Sequence, residues 1–202
     1  MRDIKAFFAL PPRRWEQFRV TALALAVLIC VGYAVGLARP EAIEPLLALF
    51  VASAGDLIAQ EPSGAVLMWA IFANNLTAMF SAMLAGLVPF LRLPALELGM
   101  NALLLGGLAA YYRQNGLGLA SFLAGTLPHG ITELSALALA CASGLYLCRA
   151  VSGRLLKREG APSVRRTFGE CVRAYVRWIL PLALVSAAIE TYVTPLIFER
   201  FL

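Results

Sequence analysis

The chain has 202 residues, 60% of them hydrophobic and 14% charged, with a formal net charge of +5. A soluble domain of this size carries about 25% charged residues, so a soluble globular fold is excluded and the apolar excess has to lie in membrane-spanning runs of ~18 or more residues. The basic residues sit between those runs and form no aromatic-interleaved surface, which argues against a nucleic-acid partner and leaves membrane lipids as the first one.

Residues 1–17 read as a basic cytoplasmic lead-in, with Phe7, Phe8 and Trp15 suited to the headgroup layer. Span one is expected at 18–37. Its apolar run exceeds the ~7–15 residues of a signal-peptide core, so it is expected to stay uncleaved. The segment EAIEPLLALFVASAGDLIAQ, 41–60, has acids at both ends and too short an apolar centre to cross a ~30 Å core comfortably. It is expected as an interfacial helix.

Span two is expected at 64–91 and span three at 95–112, joined by a turn at Arg92-Leu93-Pro94. Residues 117–151 are then apolar almost without interruption. One helix of that length is ~50 Å long, so a break is expected at Pro128. That gives a short helix at 117–126 and a fourth span at 129–151. A basic cytoplasmic loop, 152–172, precedes span five at 174–198, which should kink near Pro181.

The fold expected is an all-α polytopic integral membrane protein, a single membrane domain with about five transmembrane helices. Lysines and arginines set its orientation. Fourteen fall on the side of the N-terminus and three on the other, so the N-terminus is expected inside and the C-terminus outside. Cys30, Cys141, Cys148 and Cys171 form no CxxC pair and read as small apolar side chains. Small residues recur four apart at Gly32/Gly36, Ala82/Gly86 and Ala140/Gly144. They allow close helix contact, within the chain or across a homodimer seam.

The polar residues inside the apolar runs carry most of the remaining information. They are Asn74 and Asn75 in span two, Glu97 and Asn101 in span three, His129 and Glu133 in span four, and Glu190 and Thr194 in span five. An acid at mid-bilayer costs about 2.5–3.5 kcal/mol on insertion scales, so these side chains should face a cavity or one another. Glu97/Asn101, His129/Glu133 and Glu190/Thr194 are each four apart and share a helix face. His129, Glu133, Glu190, Asn74, Asn75 and Asn101 are therefore expected to form one polar intramembrane cluster. The acids and the imidazole should lie in its outer half. Pro128 and Gly130 would supply the helix break, freeing backbone donors beside His129.

Three chemical roles are open to such a cluster. It locks helices together, it serves a proton- or ion-coupled pathway or a lipid-like ligand, or it holds zinc or another divalent metal on His129, Glu133 and Glu190. No HExxH motif and no serine–histidine or aspartyl pairing occurs to support an intramembrane protease. No cofactor is otherwise expected.

The series WAIFANNLTAMFSAMLAGLVPF, then Asn101, then LPHGITELSALALACASG, then AAIETYVTP, resembles the stage II sporulation protein M family over about 64–198. The matching motif residues are Asn74, Asn75, Gly86, Asn101, Pro128, His129, Gly130, Glu133, Glu190 and Pro195. The resemblance implies a multi-pass bacterial inner-membrane protein. The family's namesake works with cell-wall hydrolases that remodel peptidoglycan during engulfment. The role expected here is accordingly a non-enzymatic component of an envelope complex, with other envelope membrane proteins as partners. The alternatives are a proton- or ion-coupled transporter, a lipid-handling protein and a metal-dependent intramembrane enzyme.

Overall fold

Hydrocarbon offers a backbone nothing to bond with, so each apolar run has to satisfy its own N–H and C=O groups as helix. A computed structural model of the chain describes residues 12–59 and 64–201. Residues 1–11, most of the expected basic lead-in with Phe7 and Phe8, lie outside the described residues, as do 60–63.

The helices are α1 (Pro12–Ala38), α2 (Pro40–Ala59), α3 (Gly64–Leu84), α4 (Leu93–Gln114), α5 (Gly118–Leu155), α6 (Val164–Ala174), α7 (Leu180–Tyr192) and α8 (Thr194–Phe198). Among the described residues there is no strand. Five stretches of the described residues are long and apolar enough to cross a membrane: Trp15–Ala38, Gly64–Leu87, Leu93–Gln114, Gly118–Leu155 and Val164–Tyr192. The chain is an all-α multi-pass membrane protein. The segment expected at the interface forms the 20-residue helix α2.

The fourth span is not broken. α5 is one helix of 38 residues that runs through Pro128. A proline removes one ladder bond, here the one to the Ala124 carbonyl. Neighbouring helices can hold a membrane helix across that gap, and α5 packs against α1, α3, α4, α6, α7 and α8. At ~1.5 Å per residue a helix of 38 residues is ~57 Å long. It must tilt across the bilayer or project beyond it.

Span two stops short of the expected residue 91. α3 ends at Leu84, a 3-10 turn covers Ala85–Leu87, and residues 88–91 are bends, with Phe90 and Arg92 at positive φ. This loop is docked on α5. The Phe90 N–H donates to Ser152 Oγ at 3.0 Å, and the Cys148 thiol donates to the Val88 carbonyl at 3.5 Å.

The basic loop is also shorter than 152–172. α5 continues to Leu155 and α6 begins at Val164. An exposed Arg166–Glu170 pair, 3.1 Å apart, runs along one face of α6. The kink expected near Pro181 takes the form of a π turn, Tyr175–Ile179, between α6 and α7. The wider turn relieves the clash between the Pro181 ring and the Arg177 carbonyl. Span five then ends at Tyr192, not at 198, and Pro195 opens the short α8.

α5 is the centre of the molecule, with α1 and α4 on one side and α3 and α7 on the other. Small residues set the spacing. A methyl group on Gly32 would meet the Leu103 backbone at 2.7 Å, and one on Gly36 would meet Ala110 Cβ at 2.8 Å. Gly144 faces the Ala82 carbonyl and the Pro94 ring as closely. These contacts lie within the chain, the first of the two settings expected for the small residues. Cys141, Cys148 and Cys171 are buried as expected, whereas Cys30 is exposed.

Candidate functional site

α5 turns one stripe of residues away from its packed side, with Thr126, His129, Gly130, Glu133, Leu134 and Leu137 in succession at helical spacing. α4 does the same with Asn101, Leu104, Leu105, Leu108 and Tyr112. Between these stripes lies a cavity of about 740 Å³. α5 is its floor and α4 one wall. The other wall is Ile71, Asn74 and Asn75 of α3 with Glu190, Thr194, Pro195 and Phe198 of the last span and α8. A volume of this size is typical of small-molecule sites.

All six residues expected to cluster line this one cavity. At its polar end, His129, Glu133 and Glu190 each bring one ligand atom within 4.8 Å of the others. His129 Nε2 is 3.9 Å from Glu133 Oε2, too long for a hydrogen bond. The ring is held from its other side, with Nδ1 3.1 Å from Thr194 Oγ1. The His129 backbone is held as well. Its carbonyl accepts from Ser186 Oγ of α7 at 3.2 Å and from Thr132 Oγ1 at 2.8 Å.

Some expected neighbours are placed differently. Glu97 shares a face with Asn101 by spacing, yet it does not line the cavity. Asn101 Nδ2 donates to the Glu97 backbone carbonyl at 2.9 Å. Pro128 does not line the cavity either, and because α5 is continuous it frees no backbone donors. What it leaves is an acceptor, the Ala124 carbonyl. Gly130 was expected to take part in that break. A methyl group there would meet only Thr126 Cγ2, at 3.6 Å, so the glycine widens the cavity instead.

Two parts of the site escape sequence reasoning based on the pairs alone. Ser186 stands four residues before Glu190, which stands four before Thr194, so the polar face of the last span extends one turn further. That spacing was the available signal. Leu104, Leu105, Leu108 and Phe198 had none, because an apolar cavity wall and a lipid-facing surface use the same residues.

Among the described residues, no lysine or arginine lines the cavity. Walls α3 and α4 touch one another little, and Asn74 and Asn101 are exposed. The cavity therefore opens between α3 and α4, toward the side of the helix bundle. It joins a cluster of two carboxyls and an imidazole, with three amides in the same lining, to apolar side chains.

Comparison with known proteins adds one finding. No curated protein and no solved structure matches the chain. A family model does: the one described as Stage II sporulation protein M matches residues 20–195. That match takes in all or most of each of the five membrane-crossing helices and every polar residue of the cavity, and the chain belongs to the stage II sporulation protein M family.

Proposed function

We propose that this protein is a non-enzymatic component of an envelope complex in the bacterial inner membrane, and that its cavity holds an amphiphilic, lipid-class ligand. The observation that carries this reading is the mixed lining of the cavity. Two carboxyls, an imidazole and three amides share one space with Leu104, Leu105 and Leu108. A polar headgroup and an apolar chain would both find partners there. The side opening between α3 and α4 gives a membrane-borne molecule a route that avoids water. Family membership supports a sporulation-related setting, and wall-remodelling proteins of the envelope are the partners that setting suggests.

The test is lipid analysis of protein purified in nanodiscs cut directly from membranes. A lipid class enriched over the bulk membrane in wild type, and lost in Leu105→Trp, supports the reading. Indole at that position fills the apolar wall. Identical lipid profiles in the two proteins would refute it.

A further inference from the structure

The polar end of the cavity has a chemistry more specific than headgroup binding requires. Two carboxylates and an imidazole nitrogen converge, their ligand atoms all within 4.8 Å of one another. No cationic side chain lines the space to balance them. We propose that His129, Glu133 and Glu190 bind one divalent transition-metal ion of the zinc class, with an open coordination position facing the cavity. The proposal rests on the reading of the cavity as a binding site and names what its polar end holds.

Four observations support it. His129 and Glu133 are one turn apart on α5, so their side chains reach the same point, and Glu190 arrives from α7 across the groove. The donor set of one nitrogen and two carboxylates suits zinc. A tetrahedral zinc with bonds of about 2.0–2.2 Å places its ligand atoms roughly 3.3–3.5 Å apart.

The second observation is the imidazole's support. Metal-binding histidines hold their other ring nitrogen by a hydrogen bond, and Nδ1 lies 3.1 Å from Thr194 Oγ1. When Nδ1–H donates there, Nε2 turns a lone pair toward the carboxylates, and three electron-rich atoms face one gap. The third is charge. Two carboxylates and a neutral imidazole carry two negative charges, and a divalent cation neutralises the set inside an apolar surround. The fourth is the open side. Three protein ligands leave a fourth position on zinc, and the amides of Asn74, Asn75 and Asn101 line the same space. A metal-bound phosphate or carboxylate of a headgroup would find donors there.

The experiment uses the full chain in lipid nanodiscs with Cys30→Ala, which removes the exposed thiol. Metal content after dialysis and titration with Zn²⁺ alone are measured. Expected are one equivalent per chain and affinity reduced at least ~100-fold in Glu133→Gln and in Glu190→Gln. Glu97→Gln, outside the cavity, should bind as wild type. Thr194→Val keeps all three ligands and should weaken binding ~10-fold, the usual effect of losing a supporting hydrogen bond. It decides the question if the glutamine variants do not fold. Absence of saturable Zn²⁺ binding overturns the proposal. So does unchanged affinity in Glu133→Gln and Glu190→Gln or, where those do not fold, in Thr194→Val. Leu105→Trp separates the two readings, because it should lose the lipid and keep the metal.

Discussion

Gly86 and Gly144 meet backbone to backbone, where the 3-10 turn after α3 crosses α5, and a methyl group on Gly86 would overlap the Gly144 carbonyl. Membrane helices gain no hydrophobic drive from touching one another, so such close approach is a main source of their cohesion.

Gly144→Ala tests that seam. The added methyl would lie 2.6 Å from the Ala82 carbonyl oxygen and 2.7 Å from the Pro94 ring. A loss of about 1–3 kcal/mol is expected, the usual effect of overpacking. Gly99→Ala is the matched control, since nothing lies within 4 Å of its added methyl. It should be neutral or gain up to ~1 kcal/mol from helix propensity. Thermal unfolding in detergent, followed by size-exclusion chromatography, reads both. Equal shifts would show that the seam has room.

Tyr175 closes the π turn onto α3. Its hydroxyl donates to the Leu76 carbonyl at 2.5 Å, and its ring meets Phe80 edge-on with centroids 5.4 Å apart. Tyr175→Phe removes the bond and keeps the ring, and should cost about 1 kcal/mol. Tyr175→Ala loses both and should cost about 3–5 kcal/mol. If the alanine variant were as stable as the phenylalanine variant, the ring would contribute nothing to holding α3.

Pro128→Ala restores the ladder bond to the Ala124 carbonyl. Because α5 is already continuous through this position, the variant should fold and be at least as stable as wild type, with a ceiling near the ~3 kcal/mol that proline costs a free helix. A marked drop in melting temperature would mean that the proline ring, not the helix around it, supports the site.

The orientation has a direct check. In the Cys30→Ala background, Glu159→Cys should react with an impermeant maleimide only from the cytoplasm, and Asn115→Cys only from outside. Both positions are exposed in loops or at a helix end. Labelling of position 159 in intact cells would invert the charge-based topology.

Metal removal gives a stability readout. If zinc binds the folded state alone, unfolding temperature rises with its concentration. A chelator should lower the melting temperature of wild type and leave that of Glu190→Gln where it was. Matching responses in the two would place the chelator's target elsewhere.

The five spans were readable because long apolar runs have only one structural outcome in hydrocarbon. The residues around the cavity were readable for the converse reason. Glu133, Glu190 and the asparagines are costly against lipid, and the four-residue spacing of His129/Glu133 and of Glu190/Thr194 assigns each of those pairs to a face. Pro128 misled because its local effect is real but small beside the packing of α5 on six neighbours, which no local pattern records. The end of span two had a local signal in Pro89, outweighed by the apolar residues around it. Pro89 cannot donate to the helix ladder, and the loop with Val88 and Phe90 is held instead by bonds to Cys148 and Ser152. The leucine wall of α4 could not be told from an outer surface, since hydropathy says nothing about whether a leucine faces lipid tails or a pocket.

The central place of α5 has a consequence for biosynthesis. α3 leans chiefly on α5 and α7, both of which leave the ribosome after it. At about 5–20 residues per second, α3 waits several seconds in the bilayer for its partners, with Asn74 and Asn75 uncovered. Its mean hydropathy is 1.4, like that of the next span and against 2.4 for the first, but α4 finds its main partner, α1, already in place, whereas α3 does not. Truncation before α5 should therefore leave a nascent chain whose second crossing slips back out, and the quality-control proteases of the membrane should see that species first.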